Sequence, residues 1–66
     1  MKIHKRIKEL RISLNMTQTE LAEKLNFSQD TISLWERGKS FPDVKSLIEL
    51  TKIFNVSSDY ILGLED

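Results

Sequence analysis

The most informative segment of this chain is Thr17–Gly38, TQTELAEKLNFSQDTISLWERG. It predicts two short helices, at about 18–25 and about 29–37, each preceded by a hydroxyl residue that can cap its first turn. Thr17 and Glu20 have the spacing of a capping box, in which each side chain accepts a hydrogen bond from the other residue's backbone. Only about three residues join the two helices. We therefore expect them to cross steeply, as a helix-turn-helix unit does.

The rest of the chain follows a helical pattern as well. Apolar residues recur at helical spacing over about 2–14, 44–54 and 58–62, and no segment shows the alternation of a strand. We predict a single all-α domain over residues 1–66, a compact bundle of four or five helices. The helix at 44–54 has the widest apolar arc, and we expect it to be the most enclosed.

Composition excludes most other classes of protein. A chain of 66 residues holds one small core,, and the absence of cysteine excludes disulfides and thiolate metal sites,. His4 is the only histidine, and no catalytic constellation is present. We therefore predict no metal, no cofactor, no enzymatic activity and no small-molecule substrate. No apolar run approaches the roughly 20 residues that span a bilayer, so we expect no membrane partner and a cytoplasmic location.

The charge is balanced in sum and polarised along the chain. Ten basic side chains oppose ten acidic ones, for a formal net charge of zero. Residues 1–15 contain five of the basic side chains and one acidic one, and residues 16–66 contain the other five and nine acidic ones. This balance argues against a nucleic-acid binder of the highly basic kind.

Helical geometry predicts which side of the helix at 29–37 points outward. With Ile32 toward the core, Trp35 and Glu36 fall on the inner side at about 100° per residue. The outward side then carries Gln29 at its margin together with Asp30, Ser33, Leu34 and Arg37. Glutamine can pair with adenine, serine can donate or accept, and an aliphatic side chain can meet a thymine methyl group. These residue types are suited to contact with DNA. They are equally typical of an ordinary solvent-exposed helix face.

Two stretches, TQTELAEKL (17–25) and SQDTISLWERGK (28–39), closely resemble the helix-turn-helix domain of the Cro/repressor type, also called the XRE family of bacterial and phage transcription regulators. The resemblance extends to Pro42, Leu47–Leu50 and Val56–Gly63, and so covers nearly the whole chain. It implies a five-helix, lambda-repressor-like domain that binds operator DNA, commonly as a dimer on a palindromic site. It also implies a bacterial protein associated with the nucleoid.

The resemblance assigns roles to individual residues. The positions that read bases correspond to Gln29, Asp30, Ser33 and Leu34. The positions that contact phosphates correspond to Gln18, Arg37, Lys39 and Ser40. A structural ion pair of some family members corresponds to Arg11 and Glu36, and both residues border the apolar stripes of their helices, as such a pair requires. The last helices of many members form a dimer seam, which corresponds here to Tyr60, Ile61 and Leu64.

Two departures from the family pattern bear on function. Asn26 stands where the family often has glycine, and asparagine can adopt the positive φ that the turn requires. Asp30 is acidic on the side meant for DNA; it repels phosphate but can accept from cytosine N4. We predict a sequence-specific, dimeric DNA-binding regulator that acts as a repressor. The alternative is a protein-interaction module of the same fold, antitoxin-like or an anti-repressor partner, with secondary or lost DNA binding.

Overall fold

The computed structural model describes residues 2–65, which form five α-helices and no strand. The helices are α1 (Ile3–Ser13), α2 (Gln18–Leu25), α3 (Gln29–Glu36), α4 (Val44–Phe54) and α5 (Ser58–Leu62). The all-α prediction is confirmed, and the predicted bounds of each helix lie within about one residue of the observed ones,. None of these helices has the length and apolar character needed to cross a membrane.

Capping side chains determine where four of the helices begin. Thr17 Oγ1 accepts from the Glu20 N–H at 3.0 Å, and Glu20 Oε1 accepts from the Thr17 N–H at 2.8 Å, which is the predicted capping box. Ser28, Asp43 and Ser57 each accept from the N–H three residues further along. Each cap satisfies a backbone donor that the first turn of a helix leaves without an intrahelical partner.

Asparagines shape three of the connections. Asn15, Asn26 and Asn55 have φ angles of 57°, 60° and 55°, in the left-handed region that few residues other than glycine enter readily,. Asparagine tolerates this conformation because its short polar side chain can bond to nearby backbone. The expectation that Asn26 supplies the positive φ of the turn between α2 and α3 is confirmed.

One apolar cluster holds the helices together. Its buried members are Ile3, Ile7, Leu21, Ala22, Leu25, Ile32, Trp35, Leu50, Phe54 and Ile61. Helix α2 packs mainly against α3, α1 packs against both α3 and α5, and α4 packs against α5. Helix α3 is therefore supported by α1 and α2 on its inner side.

Helix α4 is more exposed than the sequence predicted. Leu50 and Phe54 are buried, but Val44 is 74% exposed and Ile48 is 49% exposed. The expectation that α4 is the most enclosed helix was wrong, because within residues 2–65 its main partner is α5. A wide apolar arc shows that a helix can be enclosed; whether it is enclosed depends on how many neighbours pack against it.

Two of the caps make the stability of the fold depend on pH. Backbone hydrogen bonds, from Thr17 to Glu20 and from Ser46 to Asp43, lower the pKa of both carboxyl groups below their usual range,. A carboxyl whose pKa is lower in the folded chain binds fewer protons folded than unfolded, so acid favours unfolding. We expect the melting temperature, followed by circular dichroism, to fall as the pH drops from about 5 to about 3.

The variant carrying both Glu20→Gln and Asp43→Asn provides the control. Neither replacement side chain titrates in this range, so the decline in melting temperature should become shallower. A decline as steep as that of the unaltered chain would assign the acid sensitivity to other carboxylates.

Candidate nucleic-acid interface

The inner side of α3 is anchored in the core. Ile32 is fully buried, and Trp35 and Glu36 are buried beside it. The rings of Phe27 and Trp35 meet edge to face, with centroids 5.4 Å apart and planes at 78°, an arrangement that aromatic pairs favour. These contacts fix the rotation of α3 about its axis, so the core determines which residues face outward.

The outward side of α3 carries the four residues that the family resemblance assigned to bases. Gln29 and Asp30 are exposed, Leu34 is 37% exposed and Ser33 is half-buried. Ser33 Oγ accepts from Arg37 Nε at 3.2 Å, so these two side chains form one polar unit. We call the group Gln29, Asp30, Ser33 and Leu34 the reading face.

A glutamine pair joins the first residues of α2 and α3. Gln29 Nε2 donates to Gln18 Oε1, and Gln18 Nε2 donates to Glu36 Oε1 at 3.1 Å. Gln18 is half-buried, and it lies where the first backbone N–H groups of α2 have no intrahelical partner. The structure thus brings a residue assigned to phosphate into contact with one assigned to bases.

The segment after α3 turns back over the end of the helix. The N–H groups of Lys39 and Ser40 lie 2.9 and 3.4 Å from the Leu34 carbonyl oxygen. Gly38 has φ of 73°, a left-handed conformation that glycine adopts without steric cost,. Arg37 and Lys39 are exposed, so two cationic side chains lie at the C-terminal end of the reading face.

Arg11 and Glu36 form an ion pair on the inner side of α3. Arg11 Nε donates to Glu36 Oε2 at 2.7 Å and Nη2 donates to Oε1 at 3.0 Å, and the side chains are 11% and 3% exposed. The hydrogen bond to the carboxylate raises the pKa of Arg11, against the opposing effect of burial,. Arg11 Nη1 also donates to the Met16 carbonyl oxygen at 2.7 Å. One guanidinium therefore connects α1, the segment before α2, and α3.

The predicted dimer seam requires a correction at Ile61. This side chain is fully buried in the core, so it is not accessible to a second copy. Tyr60 is half-buried; Arg6 lies 4.1 Å from the centroid of its ring and donates to its carbonyl oxygen. Leu64 is 73% exposed. Helical spacing placed all three residues near one another but could not show which of them α1 and α4 cover.

The structure also places His4 beside the loop after α3, a contact that no sequence pattern indicated. A Cβ atom added to Gly38 would lie 3.6 Å from His4 Cγ. This contact joins α1 to a loop distant in sequence, so no local pattern could have revealed it. Within residues 2–65, no group of three or more histidine, cysteine, aspartate or glutamate side chains is arranged to hold a metal ion.

Comparison with known sequences agrees with the resemblance to helix-turn-helix transcription regulators. The sequence model of the helix-turn-helix family matches residues 7–61. The chain is 42% identical over 66 residues to the HTH-type transcriptional regulator ImmR of Bacillus subtilis (strain 168), covering 100% of this chain and 52% of ImmR. It is 39% identical over 66 residues to the HTH-type transcriptional activator BcrR of Enterococcus faecalis, covering 100% of this chain and 32% of BcrR. The chain thus spans about half of one relative and a third of the other.

A solved structure shares the fold. The P22 c2 repressor protein in complex with synthetic operator 9T superimposes with a TM-score of 0.84 and 32% sequence identity, over 89% of each chain. This likeness, together with the family match, confirms the helix-turn-helix fold class predicted from the sequence.

Proposed function

The chain belongs to the helix-turn-helix family of Cro/C1-type transcription regulators, and on that premise we propose that it binds double-stranded operator DNA sequence-specifically, as a homodimer, and represses transcription. The family consists of DNA-binding regulators and not of enzymes. The expected partner is therefore a DNA duplex that is bound and released unchanged.

The reading face supports insertion of α3 into the major groove. That groove admits an α-helix, and each base pair presents a distinct pattern of donors, acceptors and methyl groups there. Gln29 offers an amide for adenine, Leu34 an apolar contact for a thymine methyl group, and Asp30 an acceptor for cytosine N4. The main support for the proposal is that these side chains share the solvent-facing side of a helix whose inner side is buried in the core.

We expect four further residues to contact the DNA backbone. They are Gln18, Arg37, Lys39 and Ser40. Gln18 begins α2, where free N–H groups and the helix dipole favour an anion. Such contacts position a protein on DNA but carry no sequence information directly. Because Arg37 and Lys39 are the only cations in this set, one copy neutralises few phosphates, and we infer that two copies bind together.

A dimer would present one reading face per copy, and we therefore propose that its preferred site is an inverted repeat. The two half-sites would lie about one helical turn apart, ~34 Å. Leu64 and the half-buried Tyr60 are the members of the predicted seam that a second copy can still reach. The name of the P22 neighbour supports repression, whereas BcrR is named an activator. Binding to an operator would locate the protein in the cytoplasm, at the nucleoid.

Truncation of Gln29 tests the reading face. We expect Gln29→Ala to weaken binding to the preferred site by about 1–3 kcal/mol and to relax base preference at one position in each half-site. Gln29 is exposed, so its removal leaves no cavity in the core. Fluorescence anisotropy with the site and its single-base variants measures both effects. An unchanged preference in the folded variant would show that we have chosen the wrong face.

Truncation of Lys39 tests the phosphate contacts. We expect Lys39→Ala to weaken binding to all sequences alike and to reduce the slope of log K against log salt by about 0.9 per copy. Lys52→Ala is the matched control, because Lys52 is an exposed lysine in the last turn of α4, outside the proposed interface. A loss confined to the preferred site would contradict the phosphate assignment for Lys39.

A protein-interaction module of the same fold, antitoxin-like or an anti-repressor partner, is the second candidate. It is favoured by the zero net charge and by the exposed apolar side chains Val44 and Ile48 of α4. Binding through such a surface depends little on salt, whereas binding to phosphates weakens steeply as salt rises. Binding that persists in high salt, without preference for any DNA sequence, would favour this alternative.

A further inference from the structure

The imidazole of His4 lies against the loop that follows α3. A Cβ atom added to Gly38 would come 3.6 Å from His4 Cγ and 3.7 Å from Nδ1. The ring therefore occupies the side of Gly38 from which a side chain would project, at van der Waals distance. Gly38 stands between Arg37 and Lys39, which are both exposed. His4 thus adjoins the segment that we expect to lie along the DNA backbone.

The packing of α1 explains why His4 faces this loop. His4 and Arg11 are seven residues apart, which places them about 20° from each other around the helix. On this side of α1, Arg11 pairs with Glu36 at the end of α3. Arg6 lies about 160° from His4 and contacts α5. One side of α1 therefore faces α3 and its loop, and α5 packs against the other side.

The ring nitrogens of His4 are open to solvent. His4 is half-buried and makes no hydrogen bond or ion pair within residues 2–65. In the same range, no enclosed side-chain nitrogen or oxygen lacks a hydrogen-bond partner. Neither ring nitrogen is therefore enclosed, although one face of the ring rests on Gly38. A ring that is held by packing while its nitrogens reach solvent is preorganised to donate to a ligand.

The charged side chains that border His4 are cations. Two lie on α1 and two in the loop after α3. They are Lys5, Lys8, Arg37 and Lys39. The acidic side chains of the same elements are directed elsewhere. Glu9 lies about 140° around α1 from His4, Glu36 is enclosed in its ion pair, and Asp30 stands at the opposite end of α3. An anion is therefore the ligand that this surface favours.

We propose that His4 is a further contact of the DNA backbone and holds a proton while it is bound, so that operator binding tightens as the pH falls from about 8 to about 6. The inference rests on the proposed function, because it requires the loop after α3 to lie along DNA phosphates. A neutral imidazole can donate one hydrogen bond, whereas an imidazolium also carries a charge that pairs with phosphate. The phosphate favours the charged form, so the ring takes up a proton from solvent when DNA binds.

His4→Gln is the variant that tests the proton. Glutamine keeps a polar side chain that can pack against Gly38 and donate to a phosphate, but it does not titrate. Melting curves at pH 6 and pH 8, each set to within about 0.1, establish that the variant is folded before its binding is measured. Lys52→Ala is the matched control, because Lys52 is exposed on α4, outside the proposed interface.

The first readout is the ratio of the Kd at about pH 8 to the Kd at about pH 6, measured with a duplex selected from random-sequence DNA. We expect a ratio of up to about ten per copy in the unaltered chain and in Lys52→Ala, and a ratio closer to one in His4→Gln. The α-amino group also titrates in this interval, so the contribution of His4 is the difference between the unaltered chain and His4→Gln.

The second readout is the dependence of binding on salt. Each phosphate that a cation neutralises adds about 0.9 to the slope of log K against log salt. In the unaltered chain this slope should be steeper at the lower pH, by up to about 0.9 per copy. In His4→Gln the difference between the two slopes should be smaller. A histidine that only supports the loop would add no charge and would leave this difference unchanged.

Nuclear magnetic resonance follows the proton itself. His4 is the only histidine, so the ring signal of the unaltered chain needs no further assignment. We expect this signal to titrate at higher pH in the complex with DNA than in the free chain, because the phosphate favours the charged ring.

The outcomes separate this inference from the proposed function. An equal Kd ratio in the unaltered chain and in folded His4→Gln would overturn the role of His4 and leave sequence-specific binding intact. A ring signal that titrates at the same pH with and without DNA would also overturn it. Failure of the unaltered chain to enrich any sequence at either pH would contradict the proposed function itself, and this inference with it.

Discussion

Replacing Arg11 with methionine should lower the free energy of unfolding by about 3–5 kcal/mol. The substitution leaves the Glu36 carboxylate, whose side chain is 3% exposed, buried without its counter-charge. It also removes the hydrogen bond to the Met16 carbonyl oxygen. A domain of this size has a total stability of roughly 3–10 kcal/mol, so the variant should be close to unfolding at room temperature. Urea denaturation followed by circular dichroism measures the loss.

Two further variants test whether the loss of stability in Arg11→Met comes from the broken ion pair. Lys8→Met changes an exposed cation on the same helix and should alter stability by no more than about 0.5 kcal/mol. Adding Glu36→Leu to Arg11→Met removes the unpaired charge, so most of the lost stability should return. If Arg11→Met destabilised no more than Lys8→Met, the ion pair would not hold α1 against α3.

Trp35→Ala should be about as damaging, with an expected loss of about 3–5 kcal/mol. Trp35 is 4% exposed and packs edge to face with Phe27, so its removal opens a cavity between α3 and the turn that precedes it. The surrounding helices can collapse into that space only in part. Because Trp35 is the only tryptophan, unfolding of the variant must be followed by circular dichroism and not by indole fluorescence.

Leu34→Ala is the control for Trp35. Leu34 is the neighbouring residue on α3 but is 37% exposed, so its truncation removes fewer core contacts and should cost about 1 kcal/mol or less. Equal losses in the two variants would contradict the assignment of inner and outer sides to α3. The reading face would then need to be redefined.

Most of the fold could be predicted from local patterns in the sequence. The capping box at Thr17 and Glu20, the caps at Ser28, Asp43 and Ser57, and the turn at Asn26 act through residues a few positions apart. Physical rules for helix ends therefore apply to the sequence directly. The rotation of α3 also followed from the sequence, because helical periodicity places Ile32, Trp35 and Glu36 on one side.

Tertiary contacts account for what the sequence did not reveal. Burial of Ile61 and exposure of Val44 depend on which helices pack against α5 and α4, and no periodicity within one helix contains that information. The contact of Gln18 with Glu36 likewise requires α2 and the end of α3 to lie side by side. The sequence suggested an ion pair that holds the fold; its connection to Gln29 became visible only in the packed structure.

Selection from random-sequence duplex DNA tests directly whether this chain binds DNA sequence-specifically. The purified chain is incubated with the DNA pool at about physiological salt, and the retained duplexes are sequenced over several rounds. We expect enrichment of an inverted repeat whose half-sites lie about one helical turn apart. The absence of any enriched sequence, from protein shown to be folded, would contradict sequence-specific DNA binding and favour the protein-interaction module.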